Sequence, residues 1–237
     1  MKTMELSRRQ FLKGAGALVV SFNLFPPARG VLAAQFTTLP SGDIDPRSLD
    51  SWLAISADGT VTFYTSKVEL GTGTITALAQ IVAEELDVPF ERVRAVYGDT
   101  AKTIEQGSTV GSRSIERAGP QLRQAAAAAR QELLKRASAR LKAPVERLAV
   151  QNGVISVIGD PAKKVSYGQL IGGKRFNTTI TATGRGPGMR VAPEVKAKDP
   201  KDYKVVGQSV KRMELPGKLT GDHIYAHDVR IPGMLHG

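Results

Sequence analysis

The sequence predicts an α+β fold, with small mixed sheets carrying helices, and three observations predict it. Short apolar runs flank Asp58-Gly59 and Asn152-Gly153, the signature of β-hairpins. Two stretches, Thr74 to Leu86 and Ile115 to Leu141, have helical character, the first by apolar periodicity and the second by alanine content. A Gly/Ser-rich turn stands directly ahead of each helix. With 237 residues, 41% of them hydrophobic, the chain can bury a core without a metal or disulfide staple.

Taken in order, residues 1–34 read as an export address. Ser7-Arg8-Arg9-Gln10-Phe11-Leu12-Lys13 is a twin-arginine signature, followed by a modestly apolar stretch to Phe25, then Pro26-Pro27 and the small-residue ending Ala33-Ala34. The apolar run is too short to cross a bilayer, so the paired arginines are a receptor-read address and no stable membrane span is expected. That route implies a periplasmic protein, folded before export. Residues 35–50, with Pro40, Gly42 and Pro46, read as a linker.

The 51–171 domain opens with a hairpin, Trp52 to Ile55 and Val61 to Tyr64. The helix over Thr74–Leu86 places Ile75, Leu78, Ile81, Val82, Glu85 and Leu86 on one side, and Pro89 stops it. Val93 to Tyr97 alternates like a strand and ends at Gly98-Asp99, where Asp99 is expected to cap a turn. The run Ala125 to Ala129 marks the long helix. Ala143 to Leu148 reads as a short helix with Pro144 in its first turn, Leu148 to Val157 as a second hairpin, and Ser166 to Ile171 as a helical turn. Residues 172–204, rich in Gly, Pro and Lys, read as an extended linker; residues 205–237 read as the first strands of a further, incomplete domain.

The formal charge is +11, of which the leader contributes +4 through Lys2, Arg8, Arg9, Lys13 and Arg29 against Glu5. The remaining basic residues are interspersed with acids and aromatics make up 5%, so nucleic acid is not the expected partner; an anionic cofactor or an acidic subunit fits as well. The absence of Cys excludes a thiolate zinc site and an iron–sulfur cluster held by these residues.

Two turns carry the candidate chemistry. Val68 to Thr74 holds Gly71-Thr72-Gly73-Thr74; Gly107 to Ser114 holds Gly111-Ser112-Arg113-Ser114. Glycine lets the backbone approach a ligand, and a helix start offers free N–H groups with partial positive charge. Either turn alone is better explained as a ligand-free cap. Together they suit one anionic ligand, with Gly71, Thr72, Gly73, Thr74, Gly111, Ser112, Arg113 and Ser114 as cofactor-binding candidates. A nicotinamide dinucleotide fold fits less well: Thr76 stands where the third glycine belongs, and Val61 to Leu70 lacks the continuous apolar run of a central parallel strand. His223 and His227, four apart, lack a third metal ligand and read as structural on a strand.

These turns, with Gly98-Asp99-Thr100 between them, resemble the molybdopterin-binding region of the xanthine oxidase/aldehyde oxidase family, and the twin-arginine leader makes the chain most similar to isoquinoline 1-oxidoreductase-type beta subunits. Gly207 to Gly221, Tyr225-Ala226-His227-Asp228 and Pro232 to Gly237 resemble the opening of that family's hammerhead domain. The resemblance implies an oxidoreductase that hydroxylates aldehydes or N-heterocycles with water-derived oxygen. It implies a molybdenum cofactor, molybdopterin or its cytosine dinucleotide, held through its own sulfurs and not by a protein metal ligand. It places Gly71, Thr72 and Gly73 beside that cofactor and Ser112, Arg113 and Ser114 against its pterin or phosphate; the family commonly has Gln at the position of Thr72. The family's general-base Glu lies in sequence beyond these residues, so no catalytic residue is assigned, and Glu69 is expected to be solvent-facing or structural. The implied partners are an iron–sulfur small subunit and the remainder of the large subunit, without which the chain is expected to be inactive. The alternative is an exported, non-catalytic partner module that keeps the fold without the cofactor.

The leader reading predicts removal after Ala33 or Ala34. N-terminal sequencing of exported protein should begin at Ala34 or Gln35; mature protein still starting at Met1 contradicts it.

Overall fold

The computed structural model of the protein describes residues 44–235. The twin-arginine segment, the apolar stretch behind it and most of the 35–50 connector lie outside the described residues.

β1 (Leu53–Ile55) and β2 (Val61–Thr65) form the expected antiparallel hairpin, in register from Leu53↔Phe63 to Ile55↔Val61. Asp58 shapes the turn by accepting from Thr60 N at 2.9 Å, and Gly59 takes φ 84°. β2 then pairs in parallel with β3 (Val93–Tyr97), from Val61↔Val93 to Thr65↔Tyr97. α1 (Thr74–Leu86) is the crossover between them. The sequence argued against a parallel strand here, because polar residues alternate along it. The sheet has only three strands, so β2 can pair in parallel while Thr62 stays half-buried and Thr65 is satisfied by a buried hydrogen bond to Gln106.

α2 (Ser114–Leu141) runs the expected length and is followed by a second sheet. β4 (Leu148–Gln151) and β5 (Val154–Val157) form the hairpin at Asn152-Gly153, whose φ of 53° and 73° suit a two-residue turn with both central residues left-handed. β6 (Asp160–Ser166) adds a strand that the sequence did not suggest. Its Asp-Pro-Ala-Lys-Lys opening has no apolar alternation because it is an exposed edge, where Pro161 and charge are tolerated. α3 (Tyr167–Ile171) is the expected helical turn, closed by a reciprocal cap between Ser166 and Gln169.

Residues 172–204, read as a linker, pack on the body of the protein. Phe176, Ile180 and Met189 are buried in the core. Asp50 accepts from Phe176 N at 2.6 Å and Asn177 N at 2.9 Å, and two short strands, β7 (Ala182–Thr183) and β8 (Arg190–Val191), pair with each other. A segment poor in apolar residues reads as a connector, but three well-placed anchors hold it. Beyond residue 205, where strands were expected, the regular elements are α4 (Leu215–Thr220) and a turn of 3-10 helix at Ala226–Asp228. His223 and His227 therefore lie on no strand; Tyr225 stands between them, stacked on His227. Among the described residues no group of three or more His, Asp or Glu gathers as a metal site requires, and no helix is long and apolar enough to cross a membrane.

α1 and α2 pack against each other and run in the same direction. Ile81 lies against Gly119, where a Cβ would sit 3.2 Å from Ile81 Cδ1. Glu85 meets Arg123 at 2.8 Å, a pair 38 residues apart like the first. Residue numbers rise together at a constant offset, so the two helix starts, near Thr74 and Ser114, lie at the same end. Gly119 keeps the contact close, and Ala118, Ala125, Ala126 and Ala129 of the same helix are buried. Gly119→Leu should force the helices apart and destabilise the fold by about 1–3 kcal/mol, read by chemical denaturation; unchanged stability would show that the crossing has slack.

Candidate functional site

Parallel helices with adjacent starts bring two partial positive charges together. The chain treats the two starts differently. Ahead of α1, the Glu69 carboxylate folds back over the turn, accepting from Gly73 N at 2.9 Å and Ile75 N at 3.3 Å. The side chain is 3% exposed, and Arg212 lies 3.5 Å from it. Burial raises the Glu69 pKa, but the backbone N–H groups of Gly73, Ile75, Thr72 and Gly71 outweigh that and hold it below its ordinary value. Glu69 is structural, not solvent-facing, and the amides that the sequence offered to a ligand already have an anion.

Ahead of α2, no side chain caps the helix. Gly111 (φ 62°) and Ser112 (φ 54°) are consecutive left-handed residues that swing the chain into α2 with Arg113 as N-cap. A left-handed serine costs on the order of 1 kcal/mol, so this turn is held in shape by its surroundings. Gly111, Ser112 and Arg113 are exposed; Ser114 is buried as the first helical residue. The free amides of this start, with the guanidinium beside them, are equipped to hold an anion.

The two turns are tied at their bases. Lys67, buried between them, donates from Nζ to the carbonyls of Gln106 (3.0 Å), Gly107 (2.7 Å) and Ser108 (3.0 Å). Val68 N donates to Thr109 Oγ1 at 3.1 Å, and Ser66 N to Gln106 Oε1 at 3.1 Å. Gln106 Nε2 donates onward to Gln121 Oε1 (2.6 Å), and Gln121 Nε2 to Met189 O (2.8 Å). The structure therefore brings 71–74 and 111–114 to one end of the helix pair. At the first turn, Gly71 and Thr72 are exposed, Gly73 and Thr74 half-buried, and the Thr72 and Thr74 hydroxyls bond each other at 2.8 Å. Exposed Leu70 and Val110 flank the two turns. A cavity of about 450 Å³ opens along the beginning of α2, lined by Glu116, Arg117, Gln121, Gln124 and Arg190 among others, but by none of the eight candidates. Asp99 does what was expected of it, accepting from Ala101 N at 3.0 Å and pairing with Lys102.

Sequence reasoning missed Lys67, Gln106 and Gln121. Their partners are backbone carbonyls and amides distant in sequence, which no local pattern reveals. Glu69 had a readable signal: an acid four residues before an N-cap glycine can reach back to the helix amides.

The profile of the molybdopterin cofactor-binding domain family matches residues 9–223. The chain belongs to that family. A nicotinate dehydrogenase subunit from Pseudomonas putida is 37% identical over 231 residues, 98% of this chain and 18% of that protein. The beta subunit of isoquinoline 1-oxidoreductase from Brevundimonas diminuta is 31% identical over 271 residues, 99% of this chain and 33% of that protein. The chain thus spans a fifth to a third of the length of these relatives. A crystal structure of the Cu,Mo-containing CO dehydrogenase is similar over 51% of this chain and 15% of its own, at 27% identity and a TM-score of 0.46. Membership places this helix pair and its turns within a molybdopterin-binding domain.

Glu69 contributes stability through its lowered pKa. That contribution is complete above the ordinary value of 4.5 and is lost as pH falls through the native value. Glu69→Gln should flatten the fall of stability with acidification below pH 4.5, measured by denaturation at stepped pH; an acid limb as steep as in the parent protein would remove Glu69 from this role.

Proposed function

We propose that this chain forms the molybdenum-cofactor-binding part of the large subunit of an exported, periplasmic oxidoreductase that hydroxylates an aldehyde or, as the names of its relatives favour, an N-heterocycle. The observation that carries this is the pair of parallel helices with adjacent starts, of which α1 is neutralised by its own Glu69 and α2 is uncapped beside Arg113. The amides and side chains present at α2 fit an anionic group. Those of α1 fit only through what Glu69 leaves free.

When bound, the cofactor supplies the redox chemistry of hydroxylation with oxygen from water. The chain's own residues bind and orient it. The amides at the start of α2, with Ser112 and Arg113, would take its pterin or phosphate oxygens, and Gly71 and the Thr72 hydroxyl would lie alongside. The shorter Thr72 hydroxyl, already shared with Thr74, reaches less far than an amide side chain at the same place. Glu69 moves no proton: its oxygens are occupied and its pKa is lowered, whereas a general base works best near the ambient pH. The proton-transfer group and the substrate pocket belong to the remainder of the large subunit. With no Cys in these residues, electrons leave through an iron–sulfur partner subunit.

The test is the molybdenum and pterin content of the protein purified with its neighbouring subunits. Near-stoichiometric metal and pterin are expected, and Arg113→Glu should lower both severalfold while leaving the helix content unchanged, since Arg113 is exposed. Well-folded protein with neither metal nor pterin overturns this reading in favour of a non-catalytic partner module.

A further inference from the structure

We propose that Lys67 is a positioning residue: its ammonium gathers three successive carbonyls and so sets the Gln106–Ser114 loop to face the cofactor. The inference rests on the function proposed above, and its own content is the loop. An ammonium has three N–H donors, and here they meet the carbonyls of Gln106, Gly107 and Ser108 at 3.0, 2.7 and 3.0 Å. Lys67 is 1% exposed, and among the described residues no carboxylate pairs with it. A buried lysine is ordinarily costly, and burial together with Arg117 lowers its pKa, Glu105 opposing. Only the protonated form has a donor for each of the three carbonyls.

The geometry has a consequence for the opposite side of the loop. In a trans peptide the C=O and the following N–H point in opposite directions. Carbonyls 106, 107 and 108 converge inward on Lys67, so the amides of Gly107, Ser108 and Thr109 turn outward. Glu105 takes the first of these, accepting from Gly107 N at 2.8 Å. The Ser108 and Thr109 amides remain directed away from Lys67, on the side where Ser108 is exposed. Gly107 is held at φ 79° with Pro187 so close that a Cβ would come within 2.9 Å, which fixes the loop from the other direction. The buried charge thereby turns a flexible glycine-rich stretch into a fixed edge of amides leading to the start of α2.

The test uses the full chain with its partner subunits, comparing the parent protein with Lys67→Met. Two quantities are read: hydrogen exchange of the bonded amides at the tether, Gln106 and Gly107 in the loop and Ser66 and Val68 that donate to it, and molybdenum and pterin per chain. In Lys67→Met, exchange of these four amides should become about tenfold faster while the cores of α1 and α2 keep their protection, and cofactor content should fall severalfold. Should Lys67→Met fail to fold, Lys67→Gln, whose amide has two N–H donors for the three carbonyls, carries the test; these amides should exchange faster than in the parent and its cofactor content should be lower. Parent-like exchange and parent-like cofactor content in the folded variant overturn the positioning role. A parent protein that never contains cofactor overturns the proposed function instead, and faster loop exchange in the variant would then still establish the tether.

Discussion

Two helices that begin side by side and run in the same direction create a charge problem that the rest of this structure answers. Each start carries about half a positive charge, and parallel packing adds them where antiparallel packing would cancel them. The C-terminal end of α1, which stops beside the middle of the longer α2, has the reverse problem, made worse by sequence. α1 has no basic residue in its last turn, and Glu84 and Glu85 sit there with Asp87 as C-cap. Left alone, those acids would oppose the negative end of the helix. Lys198 meets Glu84 at 2.9 Å and Asp87 at 2.6 Å, Arg123 meets Glu85, and Arg130 lies 3.1 Å from Asp87. Burial lowers the Lys198 pKa, yet Asp87 and Glu84 more than restore it.

The same acids recruit a length of chain with little apolar content of its own. Glu84 accepts from the amides of Lys204, Val205 and Val206, and Glu85 from that of Lys198. Gln80 donates to the carbonyls of Val205 and Gln208, and Thr76 accepts from Met213 N. α1 thus carries polar groups, buried at Thr76, Glu84 and Glu85 and half-buried at Gln80, that meet the backbone of residues 198–213. At the opposite end Arg212 closes the series by touching both Glu69 and Glu214. Residues 198–214 follow α1 from its C-terminus back to its N-terminus, guided by charge in place of a hydrophobic stripe.

This explains which parts of the protein can be read from sequence. Hairpins at Asp58-Gly59 and Asn152-Gly153 are legible because their turns demand particular backbone angles. α1 and α2 are legible because periodicity and alanine content are local properties. The 172–214 region is not, because its anchors act across the fold: Asp50 on the amides of Phe176 and Asn177, Glu84 on those of 204–206. β6 escapes notice because an exposed edge strand needs no apolar alternation. At the site the two glycine turns announce themselves, but the feature that distinguishes them does not. Telling the occupied start from the open one requires seeing where the Glu69 side chain goes.

That distinction bears on how a site for an anion can exist in a folded protein before its ligand arrives. Two bare helix starts side by side would repel each other and weaken the packing that holds them. Two starts each capped by a carboxylate would be stable and closed to any further anion. Capping α1 with Glu69, and tying the loop ahead of α2 to Lys67, resolves the conflict. The first start is neutral enough to tolerate its neighbour; the second is fixed in place by groups that leave its amides free. Lys67 satisfies carbonyls only, so it consumes none of the donors at the start of α2. Part of the cost of keeping one positive end open is therefore met by Glu69, four residues ahead of the N-cap of the adjacent helix, and an anion bound at α2 would complete the neutralisation that Glu69 begins.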